Sequence, residues 1–320
     1  MLSVHLAVAG ISVSVPGLVA AGLLLGFLIG LFGVGGGFLL IPVLKSLFGI
    51  PYPVAVGSGL AQIFVNACVS AWKHWQNRNL DPKLGLLLVT GALAGTEIGV
   101  RLLGLLGSLR KVVFLGQSFA MLDLTLNLLF LVLLTTVAVF VLVETASPRH
   151  PGAAPATGTS SPGDGGSGAA PRGISRRLQR LSWKPLLSFP ASGLERMSIW
   201  PPLTASLVVG IVTGMAGVGG GFITFPLLVY VFGVPTLTAV GTSAFQVLCA
   251  SGYGALRHAL QQHVEPLLVL LLLAGSLVGV HLGVAVSRRL DSLKLRRYFA
   301  LVVISGAGVI LYDLIKQIWL

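Results

Sequence analysis

The chain has 320 residues, 55% hydrophobic and only 9% charged, where a soluble domain carries about 25% charged residues. With a mean hydropathy of +0.94, this excludes a soluble globular protein and makes the chain an integral membrane protein. The net charge of +12 falls largely in short segments between apolar runs, where basic residues are topology signals rather than a nucleic-acid surface.

Pro16 opens a stretch that stays apolar to Gly49, interrupted by Gly33-Val34-Gly35-Gly36-Gly37-Phe38 and by Pro42. As one straight helix it would rise about 51 Å, against a hydrocarbon core of about 30 Å. It has to tilt strongly, break or fold back, and Phe48-Gly49-Ile50-Pro51 ends it in a turn. The second span, Val54 to Trp72, carries Ser58, Gln62, Asn66 and Ser70 at a spacing of four, hence on one face. The third, Leu84 to Leu106, carries Gly91, Gly95 and Gly99 as a stripe for close helix packing. Gly107 to Met121 reads as interfacial, and Leu124 to Val143 as a fourth span. Asp123 and Asp313 lie near span ends and read as solvated. Residues 147–199 read as a linker, first rich in Pro, Gly and Ser, then basic at Arg176, Arg177, Arg180 and Lys184.

From residue 200 the pattern is replayed. Leu203 to Phe232 contains Gly217-Val218-Gly219-Gly220-Gly221-Phe222 and Pro226, followed by spans at Thr238 to Leu256, Pro266 to Ser287 and Tyr298 to Ile318. Adding 184 to a first-half number gives its partner without a gap from Gly30 to Gly99, with identity at Gly33, Gly35, Gly36, Gly37, Pro42, Gly49, Gln62, His74, Gly91, Gly95 and Gly99, among others. Identity concentrated at backbone-special positions reads as duplication. The fold class expected is an all-α polytopic membrane protein of two homologous repeats. Each, 1–146 and 200–320, holds about four hydrophobic segments, the first glycine-broken or re-entrant. Full crossings throughout would divide the basic residues twelve to nine, and re-entrant first segments with inverted halves fifteen to six. The positive-inside rule favours the second, while hydropathy taken alone favours eight full spans.

Broken helices at matching places in two halves point to a transporter's binding site. Backbone N–H groups freed at a break can face an oxyanion without a buried charge. The candidate substrate-binding set is Gly33, Gly35, Gly36, Gly37, Ser58 and Gln62 with Gly217, Gly219, Gly220, Gly221, Thr242 and Gln246, the breaks being at Pro42 and Pro226. The competing role of the glycines is close packing, and that of the polar side chains is interhelical hydrogen bonding. Glu97 is the only acid well inside an apolar span, with Arg101 four residues on. An ion pair is its structural role; proton coupling, with His281 at the equivalent place, is its functional one. Few acids in the spans argue against a cation transporter. Cys68 and Cys249 make neither a disulfide framework nor a metal pattern, so no catalytic residue, metal or cofactor is expected.

The motif G-V-G-G-G-F-x-x-x-P occurs twice, each time followed by F-G-[IV]-P and then A-V-G-[ST] at Ala55 to Ser58 and Ala239 to Thr242. In this the chain resembles the TauE/SafE sulfite exporter family, over nearly all its length outside 147–195. The resemblance implies a plasma-membrane transporter, in the inner membrane of a Gram-negative source, moving sulfite, thiosulfate, sulfoacetate or a related small anion. The resulting expectation is a non-enzymatic exporter of sulfite or an organosulfur anion, with proton coupling as a variant. A passive anion channel and a sulfur-handling protein acting through its cysteines are the alternatives. The partners expected are the small anion and the lipid bilayer, not nucleic acid, and a homo-oligomer is compatible with this.

Overall fold

The computed structural model describes residues 3–32, 37–108, 112–114, 117–119, 121–146, 184–287, 298, 301–308 and 310–311. Gly33, Gly35, Gly36, the linker over 147–183, Asp313 and much of the last expected span lie outside them. The chain is mostly helical: α1 (Val15–Phe32), α2 (Gly37–Phe48), α3 (Tyr52–Gln76), α4 (Pro82–Ser108), α5 (Met121–Ala146) and α6 (Trp200–Ala216) are followed by α7 (Gly221–Pro226), a π-helical turn (Leu227–Phe232), α8 (Thr236–Leu260) and α9 (Pro266–Ser287). Among the described residues, α3, α4 and most of α9 are long and apolar enough to cross a membrane, and the apolar stretches Val15–Ile29, Leu39–Phe48, Leu122–Thr136 and Trp200–Ala216 are shorter.

Proline starts several helices, with Pro16, Pro53, Pro82, Pro201 and Pro266 in first turns. There the missing N–H has no intrahelical partner to lose, and the fixed φ suits the helix. Gly49 (φ 67°) and Gly233 (φ 77°) end α2 and the π-helical turn in the left-handed region, and the next residue's N–H closes onto Leu44 O and Leu228 O respectively. This is a glycine C-cap, the reason the Phe-Gly-[Ile/Val]-Pro sequence makes a turn.

Three short antiparallel hairpins lie outside the all-α expectation: β1 (Ser3–Leu6) with β2 (Ile11–Ser14), β3 (Val112–Phe114) with β4 (Gln117–Phe119), and β5 (Leu186–Phe189) with β6 (Leu194–Ser198). The third falls in the range expected as linker. It folds because Phe189, Leu194 and Met197 are buried against Leu84, Leu88, Leu228 and Phe232.

Glycine seams set the helix directions. A Cβ on Gly91 would strike Ser206 Oγ, one on Gly95 the Leu207 carbonyl and one on Gly99 the Ile211 carbonyl, so α4 and α6 are parallel and in backbone contact. Gly22 on Leu272 and Gly26 on Ser276 make α1 and α9 a second parallel pair. Gly85 lies against Phe245 and Glu97 is bonded to Tyr253, so α4 is parallel to α8 as well. It follows that α6 and α8, separated in the chain by the short α7 and the π-helical turn, point the same way. Helices α3 and α8 are antiparallel: Gly57 lies against His258, and Gly241 against His74.

Candidate functional site

Helix α6 stops at Ala216 because Gly217, at φ 69°, turns its N–H back to Thr213 O at 2.9 Å. Gly219 and Gly220 follow at φ 74° and 76°, a run of left-handed backbone that L residues resist. Helix α7 then starts, and Pro226, lacking an N–H, ends its regular ladder and leads into the π-helical turn. The helical path is therefore interrupted between Ala216 and Gly221, and Pro226 is the last residue of α7. Pro42 is inside α2, whose first residue is Gly37.

The break is wedged between the two crossed helices. A Cβ on Gly217 would come 2.9 Å from Val56 Cα, one on Gly219 2.8 Å from Ile63 Cγ2 and 3.6 Å from Val247 Cγ1, and one on Gly221 3.0 Å from Val247 Cγ2. Gly37 meets both Ile63 and the Val218 carbonyl, which brings the start of α2 to the second break. Ile63 and Val247 belong to one buried cluster with Ala67. The pairing of Gly57 with His258 and of His74 with Gly241 centres the α3–α8 crossing on 65–66 and 249–250. Gln62 and Gln246 sit about one helical turn to either side of that centre. Both are buried, at 2% and 1% exposure, and the side-chain oxygen of each has no hydrogen-bond partner among the described residues. Thr224 Oγ1, on α7 beside the break, is likewise buried and unpartnered. Protein interiors rarely leave such groups unmet, and a ligand or water is the usual reason.

Ser58 and Thr242 are occupied differently. Ser58 Oγ accepts the Glu265 N–H at 3.0 Å, and Thr242 Oγ1 accepts the Asp81 N–H at 3.1 Å, each at the entry to a span. Asp81 and Glu265 are buried acids that sequence reasoning passed over. Asp81 Oδ1 caps α4 through the Lys83 and Leu84 N–H groups while Oδ2 accepts from Ser192 Oγ, and Glu265 Oε2 accepts the Val8 N–H. Their signal was legible: 81 and 265 are 184 apart, and each acid directly precedes a helix-opening proline.

The expected Glu97–Arg101 pair is present at 2.7 Å. The sequence did not foresee that Arg257 joins it from α8, through Nε at 2.8 Å and Nη2 at 3.1 Å, or that Tyr253 Oη donates to Glu97 Oε2 at 2.8 Å. His281 is not part of this group; it is exposed, with Nδ1 2.7 Å from Leu277 O in its own helix. Asp123 is not simply solvated: its carboxylate pairs with Lys45 Nζ at 2.9 Å, and that ammonium lies 5.1 Å from the Tyr52 ring centroid. Cys68 is exposed and Cys249 part-buried, both as free thiols. Among the described residues no group of three or more His, Cys, Asp or Glu is placed to hold a metal.

Long apolar helices, with a glycine break held at a crossing that buries two amides, define a membrane protein with a polar interior. The family model described as Sulfite exporter TauE/SafE matches residues 18–310, and the chain belongs to that family. It is similar to "Probable membrane transporter protein YunE" of Bacillus subtilis, 26% identical over 304 residues that cover 92% of this chain and 97% of the relative. A "Probable membrane transporter protein" of Xylella fastidiosa (strain Temecula1) is 25% identical, over 92% of this chain and 94% of its own. "Probable membrane transporter protein YjnA" of Bacillus subtilis is also 25% identical, over 92% and 98%. No solved structure matches the chain. The protein is a membrane transporter.

Proposed function

We propose that this transporter exports a small oxyanion, sulfite or a related organosulfur anion, across the plasma membrane through a site at the α3–α8 crossing. The observation that carries the reading is the placement of the glycine break between Ile63 and Val247, next to two buried glutamines whose oxygens are unpartnered among the described residues. Such a site can exchange hydrogen bonds with an anion at low desolvation cost, since its polarity comes from backbone and amides.

The architecture we propose is two inverted halves, each opened by a re-entrant segment. The direction of the helices supports it. Because α6 and α8 are parallel, the intervening chain from Gly217 to Pro235 has to return to the side on which α6 began. Element bounds also recur at 184: α1 against α6, α2 against 221–232, α3 against α8, and the start of α4 against that of α9. In this arrangement fifteen basic residues share the side of the α3–α4 turn, against six opposite, so that side is cytoplasmic.

The direct test is uptake of labelled sulfite into proteoliposomes, with and without an imposed pH gradient, in competition with thiosulfate, sulfoacetate and sulfate. Saturable flux that Gly220→Val abolishes is expected, and a response to the gradient lost in Glu97→Gln would locate proton coupling there. If none of these anions moves, the substrate assignment fails and the architecture alone stands.

A further inference from the structure

Glu97 sits in a cradle built for an anion. Its two carboxylate oxygens accept four hydrogen bonds: Arg101 Nε and Arg257 Nη2 on Oε1, and Arg257 Nε and the Tyr253 hydroxyl on Oε2. Two guanidiniums and a phenol around one carboxylate leave the group net positive. An ion pair that only neutralised Glu97 would need one cation, and Arg101, four residues on, already supplies it. The second cation comes from the other half of the chain, its side chain 30% exposed, and the Arg101 side chain is 71% exposed, so the cradle is open on one side. Nor does it belong to the duplicated scaffold. The positions 184 away from Glu97, Arg101, Tyr253 and Arg257 are His281, Ala285, Val69 and Lys73, which include no acid and no second arginine. It also adjoins the break: His258, next to Arg257, has Nε2 3.2 Å from Gly214 O in the last turn of α6.

We propose that Arg257, Arg101 and Tyr253 form a second oxyanion station, on the substrate's route out from the crossing, in which Glu97 is a tethered occupant that the travelling anion displaces. The planar fork of Arg257 matches a carboxylate, sulfite or sulfonate equally, because all present two oxygens at similar spacing. This inference rests on the proposal that the protein moves small oxyanions. It adds where such an anion last binds before release, and on which side: the end at which α8 finishes, opposite the α3–α4 turn.

The test is binding of sulfite and of sulfate to the detergent-purified full chain, read as anion-dependent thermal stabilisation, alongside flux in proteoliposomes. Glu97→Gln removes the tethered negative charge and leaves both guanidiniums, while keeping the cradle's shape. Apparent affinity is expected to rise about tenfold, the scale of one charge-assisted hydrogen bond. Adding Arg257→Gln to that variant should erase the gain, whereas adding Gln62→Leu should leave it. Glu97→Gln that lowers stability without changing anion affinity would mean a structural ion pair only and overturns the station. Flux in the native chain with unchanged affinity in Glu97→Gln sinks the station but keeps the transport reading. Tighter binding in Glu97→Gln without any flux in the native chain does the reverse.

Discussion

The hydroxyl of Ser192 donates to the buried carboxylate of Asp81 at 2.7 Å, joining the β5–β6 hairpin to the first turn of α4 across 111 residues of chain. The same carboxylate caps α4 through its other oxygen, so one side chain fixes both a span's start and the hairpin that precedes the broken helix α6. Asp81→Ala should therefore lose the cap and strand the Ser192 hydroxyl, destabilising by about 2–4 kcal/mol. Asp81→Asn keeps an oxygen for the cap and should cost about 1 kcal/mol or less. Thermal unfolding in detergent separates the two. Equal losses would show that charge, not capping, is what Asp81 contributes.

The glycine seams give a second contrast. Gly95 lies in backbone contact with Leu207, with no space for a methyl group, while nothing approaches a Cβ on Gly104, in the same helix, within 4 Å. Gly95→Ala should push α4 off α6 and cost about 2–3 kcal/mol or prevent assembly. Gly104→Ala should gain about 0.5–1 kcal/mol from helix propensity. Melting temperature by size-exclusion fluorescence is the measurement, and similar responses at the two sites would remove the seam argument.

These contrasts also mark what could be read from the sequence. The Gly91, Gly95 and Gly99 stripe announced a packing face, because spacing of four on a helix is local information; that the face receives α6 is not local. Gly217 and Gly220 announced a break for the same reason. Glu97 was expected to pair with Arg101, one turn away, but Arg257 lies 160 residues further on and reaches Glu97 because α8 packs beside α4. Asp123 was misread as solvated since nothing near it in sequence shows that Lys45, 78 residues earlier, arrives beside it. The hairpin at 186–198 was read into the linker because a few buried apolar residues, Phe189, Leu194 and Met197, are too short a pattern to stand out.

The turn between α8 and α9 carries a pH-dependent contact. His263 Nδ1 lies 3.4 Å from His258 Nδ1, and partial burial lowers the affinity of His263 for a proton. A depressed folded-state value means that its contribution is complete above the ordinary imidazole range, about 6.5, and is lost as pH falls through the lowered value. The melting temperature of the native chain should fall between pH 7 and 5. His263→Asn, which does not titrate, should fall less over that interval; parallel curves would exclude His263 as the cause.

The backbone at Gly220 predicts a local defect rather than a global one. At φ 76°, with a built Cβ 2.6 Å from Val209 Cγ1 and 2.8 Å from Thr213 Oγ1, Gly220→Ala carries both left-handed strain, about 1–2 kcal/mol, and a clash inside the break. Gly10, at φ 65° with open space around it, carries the strain alone. Gly220→Ala should lose flux at least tenfold more than Gly10→Ala at matched amounts of folded protein. Equal flux in the two would mean that the break does not need its native shape.

Gln62 and Gln246 give the test that best separates function from packing. As interhelical hydrogen-bonding groups they would each be worth under about 1 kcal/mol, and replacement by leucine would lower stability or leave it unchanged. Their side-chain oxygens are instead buried without partners among the described residues, an arrangement that costs about 1–3 kcal/mol per group in the empty protein. Leucine is close in volume and removes that cost. The pair Gln62→Leu and Gln246→Leu should therefore raise the melting temperature while abolishing saturable anion flux, the opposite signs expected where a protein gives up stability to hold a site ready. A fall in melting temperature with flux retained would return both residues to packing and leave the glycine break without its amide partners.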